Sequence, residues 1–178
     1  MLGGSGSING MLFVRGNARN YDDWAEAGCE GWSYSDVLVS FMRLENWEDG
    51  ATDLRGTGGP IQVTRQRDLT PASQAFMAAL AEVAGVRRLD DYNAESQEGV
   101  AVFQQSVHGG LRYSSSVGYL DDHKLPSLTV ATRVVVSRVV IDNGRATGVE
   151  VLSNGERRII RATREVILSA GCSARRRS

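Results

Sequence analysis

Apolar side chains recur every three or four positions in several stretches of the chain, the spacing that places them on one face of an α-helix. Ser33 followed by Asp36 forms a capping box before one stretch, and Thr70-Pro71 caps another. Asn20 is expected to cap a shorter helix. The predicted helices cover residues 21–27, 34–45, 71–84 and 114–121. In the third, five residues are predicted to share an apolar face: Phe76, Met77, Leu80, Val83 and Ala84.

Alternating or continuous apolar stretches elsewhere predict β-strands. Asn-Gly pairs at 143–144 and 154–155 are strong signals for tight hairpin turns, so the last third is predicted to form a three-stranded antiparallel meander. Residues 166–171 are apolar or small, which is typical of a buried parallel strand whose carboxyl end faces a ligand. The predicted strands cover residues 61–64, 99–107, 128–131, 134–141, 146–152, 157–162 and 166–171. The fold class is therefore mixed, α+β or α/β.

Three tryptophans and a glycine-rich segment complete the predicted outline. Residues 50–60 hold several glycines and are predicted to form a surface loop. A turn is expected at Gly109-Gly110, after the strand over residues 99–107. Large aromatic side chains usually anchor a core or an interface. We expect this of the tryptophans, which are Trp24, Trp32 and Trp47.

Glycine and serine crowd the amino terminus. In regular structure Gly3, Gly4 and Gly6 together cost on the order of 2 kcal/mol relative to alanine. The backbone there is therefore expected to turn tightly or to lie close against a large group. Exposed amides in such a loop can bind an anion such as phosphate. A flexible linker is the alternative, but it is disfavoured because the apolar residues 11–14 follow at once.

The composition excludes several classes of function. The 178 residues are 42% hydrophobic and 23% charged, which is typical of a globular protein rather than a disordered one. A net charge of -1 provides no bulk field for nucleic acid, and no apolar run is long enough for a membrane span. Cys29 and Cys172 have no metal-like spacing and are expected to be reduced thiols. His108 and His123 are interpreted as solvated loop residues.

A series of motifs begins at the amino terminus. Leu2-Gly3-Gly4-Ser5-Gly6-Ser7-Ile8-Asn9 is followed at set offsets by Phe13, Gly16 and Asp22. Further motifs are Gly31-Trp32-Ser33-Tyr34, Gly56-Thr57-Gly58-Gly59-Pro60, Asp91-Tyr92-Asn93, Gln97-Glu98-Gly99, Leu128-Thr129-Val130 and residues 165–171. In this order they resemble the glucose–methanol–choline (GMC) family of FAD-dependent oxidoreductases, especially its bacterial choline-dehydrogenase-like members. The resemblance covers the chain up to residue 171.

The resemblance implies a set of cofactor-binding residues. Asn9 and its neighbours would lie beside the flavin end of FAD, and the backbone of Val136 would pair with adenine. Some members attach FAD covalently through a histidine immediately before the asparagine. Ile8 occupies that position here, so a non-covalent cofactor is expected. The implied FAD-binding residues are Gly4, Ser5, Asn9, Gly10, Met11, Leu12 and Val136.

The resemblance also implies a division of the chain. Residues 1–55 and 124–171 would belong to the FAD-binding part and residues 56–123 to part of the substrate domain. Residues 172–178 depart from the family pattern by their arginine run. Members are longer, and their G-x-G-x-x-G turn and catalytic histidine fall outside the matched stretch. No catalytic or metal-binding residue is therefore assigned, and we expect the isolated chain to be an inactive, partial oxidoreductase.

In the parent reaction implied by the family, a base takes the hydroxyl proton of a small-molecule alcohol while hydride passes to the flavin. The electron acceptor, oxygen or quinone, and the oligomeric state stay open. A cytoplasmic location is expected, with a peripheral position at the inner membrane if the acceptor is a quinone. The alternative is a non-catalytic remnant or interaction module that does not bind FAD. A different nucleotide-binding α/β protein is less favoured, because no phosphate loop follows a strand before Gly3.

Overall fold

Local capping signals determine where the helices of the first half begin and end. The computed structural model describes residues 1–121 and 126–171. The chain divides into two compact units, Met1–Pro126 and Ser127–Ser178. The helices of the first unit are α1 (Ala18–Glu26), α2 (Tyr34–Leu44) and α3 (Pro71–Ala84), with a 3₁₀ turn over Gly4–Ser7 and a π-helical turn over Val117–Asp121. The four predicted helices are confirmed, the last of them in π-helical form.

The caps explain the helix boundaries. The Ser33 hydroxyl accepts a bond from the Asp36 N–H while the Asp36 carboxylate accepts from the Ser33 N–H, so the predicted capping box is confirmed. The prediction that Asn20 caps α1 is wrong. Asn17 is the cap, because its side chain accepts from the Arg19 N–H at 2.9 Å, and Asn20 lies inside the first turn.

Short strand pairs connect these helices. Strands β1 (Leu12–Phe13) and β6 (Gln104–Gln105) are antiparallel, as are β7 (Val107–His108) and β8 (Leu111–Arg112), which flank the predicted Gly109-Gly110 turn. Strands β2 (Glu45–Trp47) and β3 (Ile61–Val63) are parallel, as are β4 (Arg88–Leu89) and β5 (Val100–Ala101). The predicted continuous strand over residues 99–107 is wrong. It is divided among β5, β6 and β7 because each short piece pairs with a different partner.

The core of the first unit lies around the parallel pair β2–β3. Trp47, Ile61 and Val63 are buried there, and Phe13 and Leu44 pack against them. Trp47 is therefore a core anchor, as predicted. Trp24 and Trp32 are 48% and 51% exposed and meet edge to face, so a core role for them is wrong and an interface role stays a prediction.

A buried ionic cluster lies beside this core. Glu45 Oε1 accepts from Arg15 Nη2 at 2.5 Å and from Arg55 Nε at 3.0 Å, and Arg55 Nη1 donates to Asp91 Oδ2 at 2.6 Å. The prediction of a surface loop over residues 50–60 is wrong at Arg55, which is 1% exposed and stacks on Trp47. Gly56 permits this burial, because a Cβ there would lie 1.9 Å from the carbonyl oxygen of Met42.

The second unit contains the predicted meander. Strands β9 (Val135–Asp142), β10 (Arg145–Ser153) and β11 (Glu156–Arg161) form an antiparallel sheet with β10 in the centre. Both Asn-Gly turns have positive φ, 48° and 78° at the first and 51° and 84° at the second, as a type I′ turn requires. The strands predicted over residues 128–131 and 166–171 are wrong, because neither stretch has a strand partner within the described residues.

Candidate functional site

The glycine-rich amino terminus forms a closed turn against the helical turn that begins near Ser115. Gly3 has φ 79°, and its carbonyl accepts from the Gly6 N–H at 3.0 Å. A Cβ on Gly3 would lie 3.0 Å from Ser116 Oγ, and one on Gly6 would lie 3.1 Å from Ser115 Oγ. Glycine therefore permits a close approach of the two segments, as the close-packing interpretation predicted and the linker alternative did not.

The next turn is built around the Asn9 carboxamide. Its Oδ1 accepts from the Met11 N–H at 3.0 Å and from Arg112 Nη1 at 2.7 Å. Met11 has φ 64°, a left-handed conformation that residues other than glycine seldom adopt. The Met11 carbonyl accepts from the N–H and the hydroxyl of Ser106, at 2.8 and 3.2 Å. A local hydrogen bond from its N–H to Asn9 and long-range hydrogen bonds from Ser106 to its carbonyl therefore hold Met11 in this conformation.

Several donors of this exposed segment are free to bond to solvent or to a ligand. The Ser5 hydroxyl, the Asn9 Nδ2 amide and the Gly10 N–H have no hydrogen-bond partner within residues 1–121 and 126–171. Ile8 and Leu12 beside them are 71% and 50% exposed. Donors next to apolar surface suit a flat ring whose edge carries carbonyl and imine acceptors. N–H donors do not suit a metal ion, because a metal ion is bound by the lone pairs of oxygen, nitrogen or sulfur ligands.

The second unit has a site of its own. A cleft of about 580 Å³ lies between its sheet and residues 165–170, and Val136, Gly148 and Ile160 line its sheet side. Val136 is 54% exposed and lies on β9, an edge strand whose outer backbone groups face no other strand among the described residues. An edge strand beside an apolar cleft can hydrogen-bond the edge of a ring whose face packs in the cleft. Within the predicted strand 166–171, residues 166–170 thus contribute a cleft wall instead of a strand.

The predicted FAD-binding residues fall into two groups. Gly4, Ser5 and residues 9–12 lie together in the consecutive turns of the first unit, and Val136 lies in the second unit. That one elongated ligand contacts both Asn9 and Val136 stays a prediction.

Three residues of the amino-terminal site were missed at the sequence level. Arg112, Ser106 and Ser116 all contact the turn, but they are distant in sequence, as the 103-residue separation of Asn9 and Arg112 illustrates. The local signal was the Gly109-Gly110 turn. It reverses the chain, so that Arg112 on β8 lies opposite Val107 on β7, the residue that follows Ser106 in sequence.

Two other candidate side chains, His108 and Cys29, form no hydrogen bond with this turn among the described residues. His108 is exposed at the end of β7 and meets the Tyr113 ring edge to face, in agreement with a solvated histidine. His123 and Cys172 lie outside the described residues, and Cys29 is an exposed free thiol. Burial, with the nearby Tyr34 hydroxyl, raises the pKa of Tyr21, whose hydroxyl donates to the Arg15 carbonyl at 2.5 Å.

Comparison with known proteins places the chain in a family. A family model described as GMC oxidoreductase matches residues 1–175. The chain belongs to the GMC oxidoreductase family. The family inferred from the sequence motifs is therefore confirmed, and with it the oxidoreductase class.

Curated relatives of this GMC chain are choline dehydrogenases. An oxygen-dependent choline dehydrogenase from Rhizobium johnstonii is 42% identical over 170 residues, which are 96% of this chain and 31% of the relative. One from Photobacterium profundum is 44% identical over 174 residues, or 96% of this chain and 30% of the relative. The choline-dehydrogenase-like character is confirmed, and the chain spans less than a third of the length of these relatives.

Solved structures agree on the fold. Pyridoxine 4-oxidase from Mesorbium loti superimposes with a TM-score of 0.82 at 24% identity, covering 88% of this chain and 31% of that protein. An FAD-dependent oxidoreductase from Chaetomium thermophilum has the same TM-score at 22% identity, covering 89% and 30%. The predicted mixed fold with an antiparallel meander is confirmed. No helix within residues 1–121 and 126–171 is both long and apolar enough to cross a bilayer.

Proposed function

We propose that this chain holds the FAD of a GMC alcohol oxidoreductase. The observation that carries the proposal is the set of unpartnered donors at Ser5, Asn9 and Gly10, in a turn that also bears the first family motif. When bound, FAD supplies the acceptor for a hydride from the alcohol carbon. The chain's own residues bind and orient it.

Each part of the chain has a distinct task in this proposal. Gly4 leaves open space above the 3₁₀ turn, because nothing lies within 4 Å of the position a Cβ would take. Ser5, Asn9 and Gly10 donate hydrogen bonds, while Met11 and Leu12 place backbone and apolar surface beside the ring. The edge of β9 at Val136 pairs with adenine. The proposed division assigns residues 1–55 and 124–171 to FAD, residues 56–123 to the substrate domain and residues 172–178 to neither.

The proposal specifies non-covalent binding. Ile8 stands where some family members carry the histidine that bonds to FAD, and its alkyl side chain cannot form such a bond. The side chain is 71% exposed, so it can cover one face of a ring by apolar contact alone.

The substrate and setting are also proposals. The choline dehydrogenase relatives support a small-molecule alcohol as the substrate of the whole protein, and no residue of this chain is assigned as its catalytic base. The isolated chain is therefore inactive in this account. We place the protein in the cytoplasm, or at the inner membrane surface if its acceptor is a quinone.

An interaction module that binds no FAD is the second candidate, and helix α3 is the observation that favours it. Much of its predicted apolar face is exposed, with Phe76 68%, Leu80 41% and Val83 87% exposed, whereas Met77 is half-buried. Such a face often marks a contact with another polypeptide segment. The first candidate function predicts that the chain binds FAD, and the second predicts that it does not.

Titration of the full chain into FAD, followed by flavin fluorescence, separates these candidates. The proposal predicts quenching that saturates at one FAD per chain, with weaker binding of riboflavin, which lacks the adenine half. Asn20→Ala serves as a control, because Asn20 lies on α1 and forms no hydrogen bond with the turn among the described residues. The absence of saturable quenching would overturn the proposal and favour the interaction module.

A further inference from the structure

We infer that Arg112 is a positioning residue for the cofactor, because it fixes the Asn9 carboxamide with its oxygen inward and its NH₂ group toward the ligand. This inference rests on the proposed function. The two groups next to the Asn9 oxygen, Arg112 Nη1 at 2.7 Å and the Met11 N–H at 3.0 Å, are both donors. A guanidinium and a backbone N–H cannot accept a hydrogen bond, so only the amide oxygen can face them.

The consequence is a fixed donor at the ligand side. With its oxygen engaged twice, Asn9 presents Nδ2, and no acceptor within the described residues contacts it. The Gly10 N–H next to it is also without a partner there. Two adjacent donors call for two acceptors on the ligand. The carbonyl and imine atoms along the edge of a flavin ring provide such a pair.

Arg112 is itself held in place. It lies on β8, which pairs with β7, and its Nη1 also lies 3.4 Å from the carbonyl oxygen of Gly6. The guanidinium therefore connects the 3₁₀ turn to the Asn9 turn. None of the ion pairs formed by the described residues includes Arg112, so no carboxylate among them neutralises its charge. A ligand that gains negative charge on reduction, as a flavin does, is favoured beside such a cation.

Asn9→Asp is the most informative variant. The carboxylate keeps two acceptor oxygens for Arg112 and Met11 but has no NH₂ group to offer the ligand. We expect the unliganded variant to unfold at the same temperature as the wild type, while its FAD affinity falls about tenfold or more through the lost hydrogen bond. A purely structural Asn9 would leave FAD affinity unchanged.

The Arg112 variants test the positioning role. Arg112→Gln is expected to weaken FAD binding about tenfold and to lower the reduction potential of the bound flavin. Arg112→Lys is expected to recover part of the potential, because the charge remains, but less of the affinity, because the fork geometry is lost. Arg43→Gln is the matched control, since Arg43 lies exposed in the last turn of α2.

The outcomes separate the inference from the proposed function. If the wild type binds FAD but Asn9→Asp and Arg112→Gln bind it equally tightly, the positioning role is overturned and the proposed function stands. If the FAD affinities of both variants fall but the reduction potential of the flavin bound to Arg112→Gln equals that of the flavin bound to Arg43→Gln, the claim that the Arg112 charge favours the reduced flavin is overturned. If the wild type itself does not bind FAD, both the proposed function and the inference fail.

Discussion

Removal of the charge on Glu45 should destabilise the first unit more than any surface charge change. Glu45 is fully buried and its carboxylate accepts four hydrogen bonds, from Arg15 Nη2, from Arg55 Nε and Nη2, and from the Gly56 N–H. With Asp91 included, two cations balance two anions. Glu45→Gln leaves one positive charge unbalanced in the interior and turns an NH₂ group toward a guanidinium donor.

The expected magnitude follows from this geometry. Breaking a buried ion pair by removing one partner costs about 3–5 kcal/mol, because the remaining charge is left desolvated. Glutamine keeps the size and one acceptor, so we expect the lower end, about 3 kcal/mol. At roughly 2–4 °C per kcal/mol for a chain of this length, the melting temperature should fall by about 6–12 °C.

Urea unfolding followed by tryptophan fluorescence is the appropriate assay, because all three tryptophans lie in the first unit. Glu26→Gln is the matched control. Its partner Arg19 lies 3.1 Å away and both side chains are about two-thirds exposed, so the variant should change stability by less than about 1 kcal/mol. Equal midpoints for Glu45→Gln and Glu26→Gln would refute the conclusion that the cluster is buried and balanced.

Further predictions concern the core, the pH dependence and the cofactor bond. Val63→Ala should cost roughly 2 kcal/mol of unfolding free energy, because Val63 is fully buried beside Trp47; a smaller change on denaturant titration would place it outside the core. Hydrogen bonds from Ser137 and Arg138 hold the pKa of Glu150 below its usual value in the folded chain. Glu150→Gln should therefore be less stable than the wild type at neutral pH, and the difference should vanish as the pH falls through the lowered pKa of Glu150, as acid-range melting curves can check. Acid precipitation should release all bound FAD into the supernatant, and mass spectrometry that found flavin on the chain would contradict the non-covalent account.

Features with local causes were predictable from the sequence. Ser33 and Asp36 are three residues apart, and each bonds to the other's backbone, so the start of α2 can be inferred from their spacing. The same holds for the hairpin at Asn154-Gly155, where both residues adopt the positive φ that the turn requires. The motifs that carry the family resemblance are also contiguous in sequence.

Features that depend on distant partners were not predictable in this way. The spacing of residues 99–107 indicated extended chain but not that three partners would divide it. Composition suggested an exposed loop around Arg55, whereas Glu45, Asp91 and Trp47 bury it through contacts 10, 36 and 8 residues away. An apolar run such as residues 166–171 indicates burial but does not specify whether it pairs edge to edge or forms the wall of a cleft.

Chemical unfolding of the full chain across a series of FAD concentrations measures whether the turns of residues 3–12 hold FAD. A ligand that binds only the folded chain adds about 2.7 kcal/mol of unfolding free energy at a hundredfold excess over its Kd. If these turns bind FAD, the unfolding midpoint of the wild type rises with the logarithm of FAD concentration, and that of Asn9→Asp rises less. A wild-type midpoint that does not move at a large molar excess of FAD would contradict FAD binding.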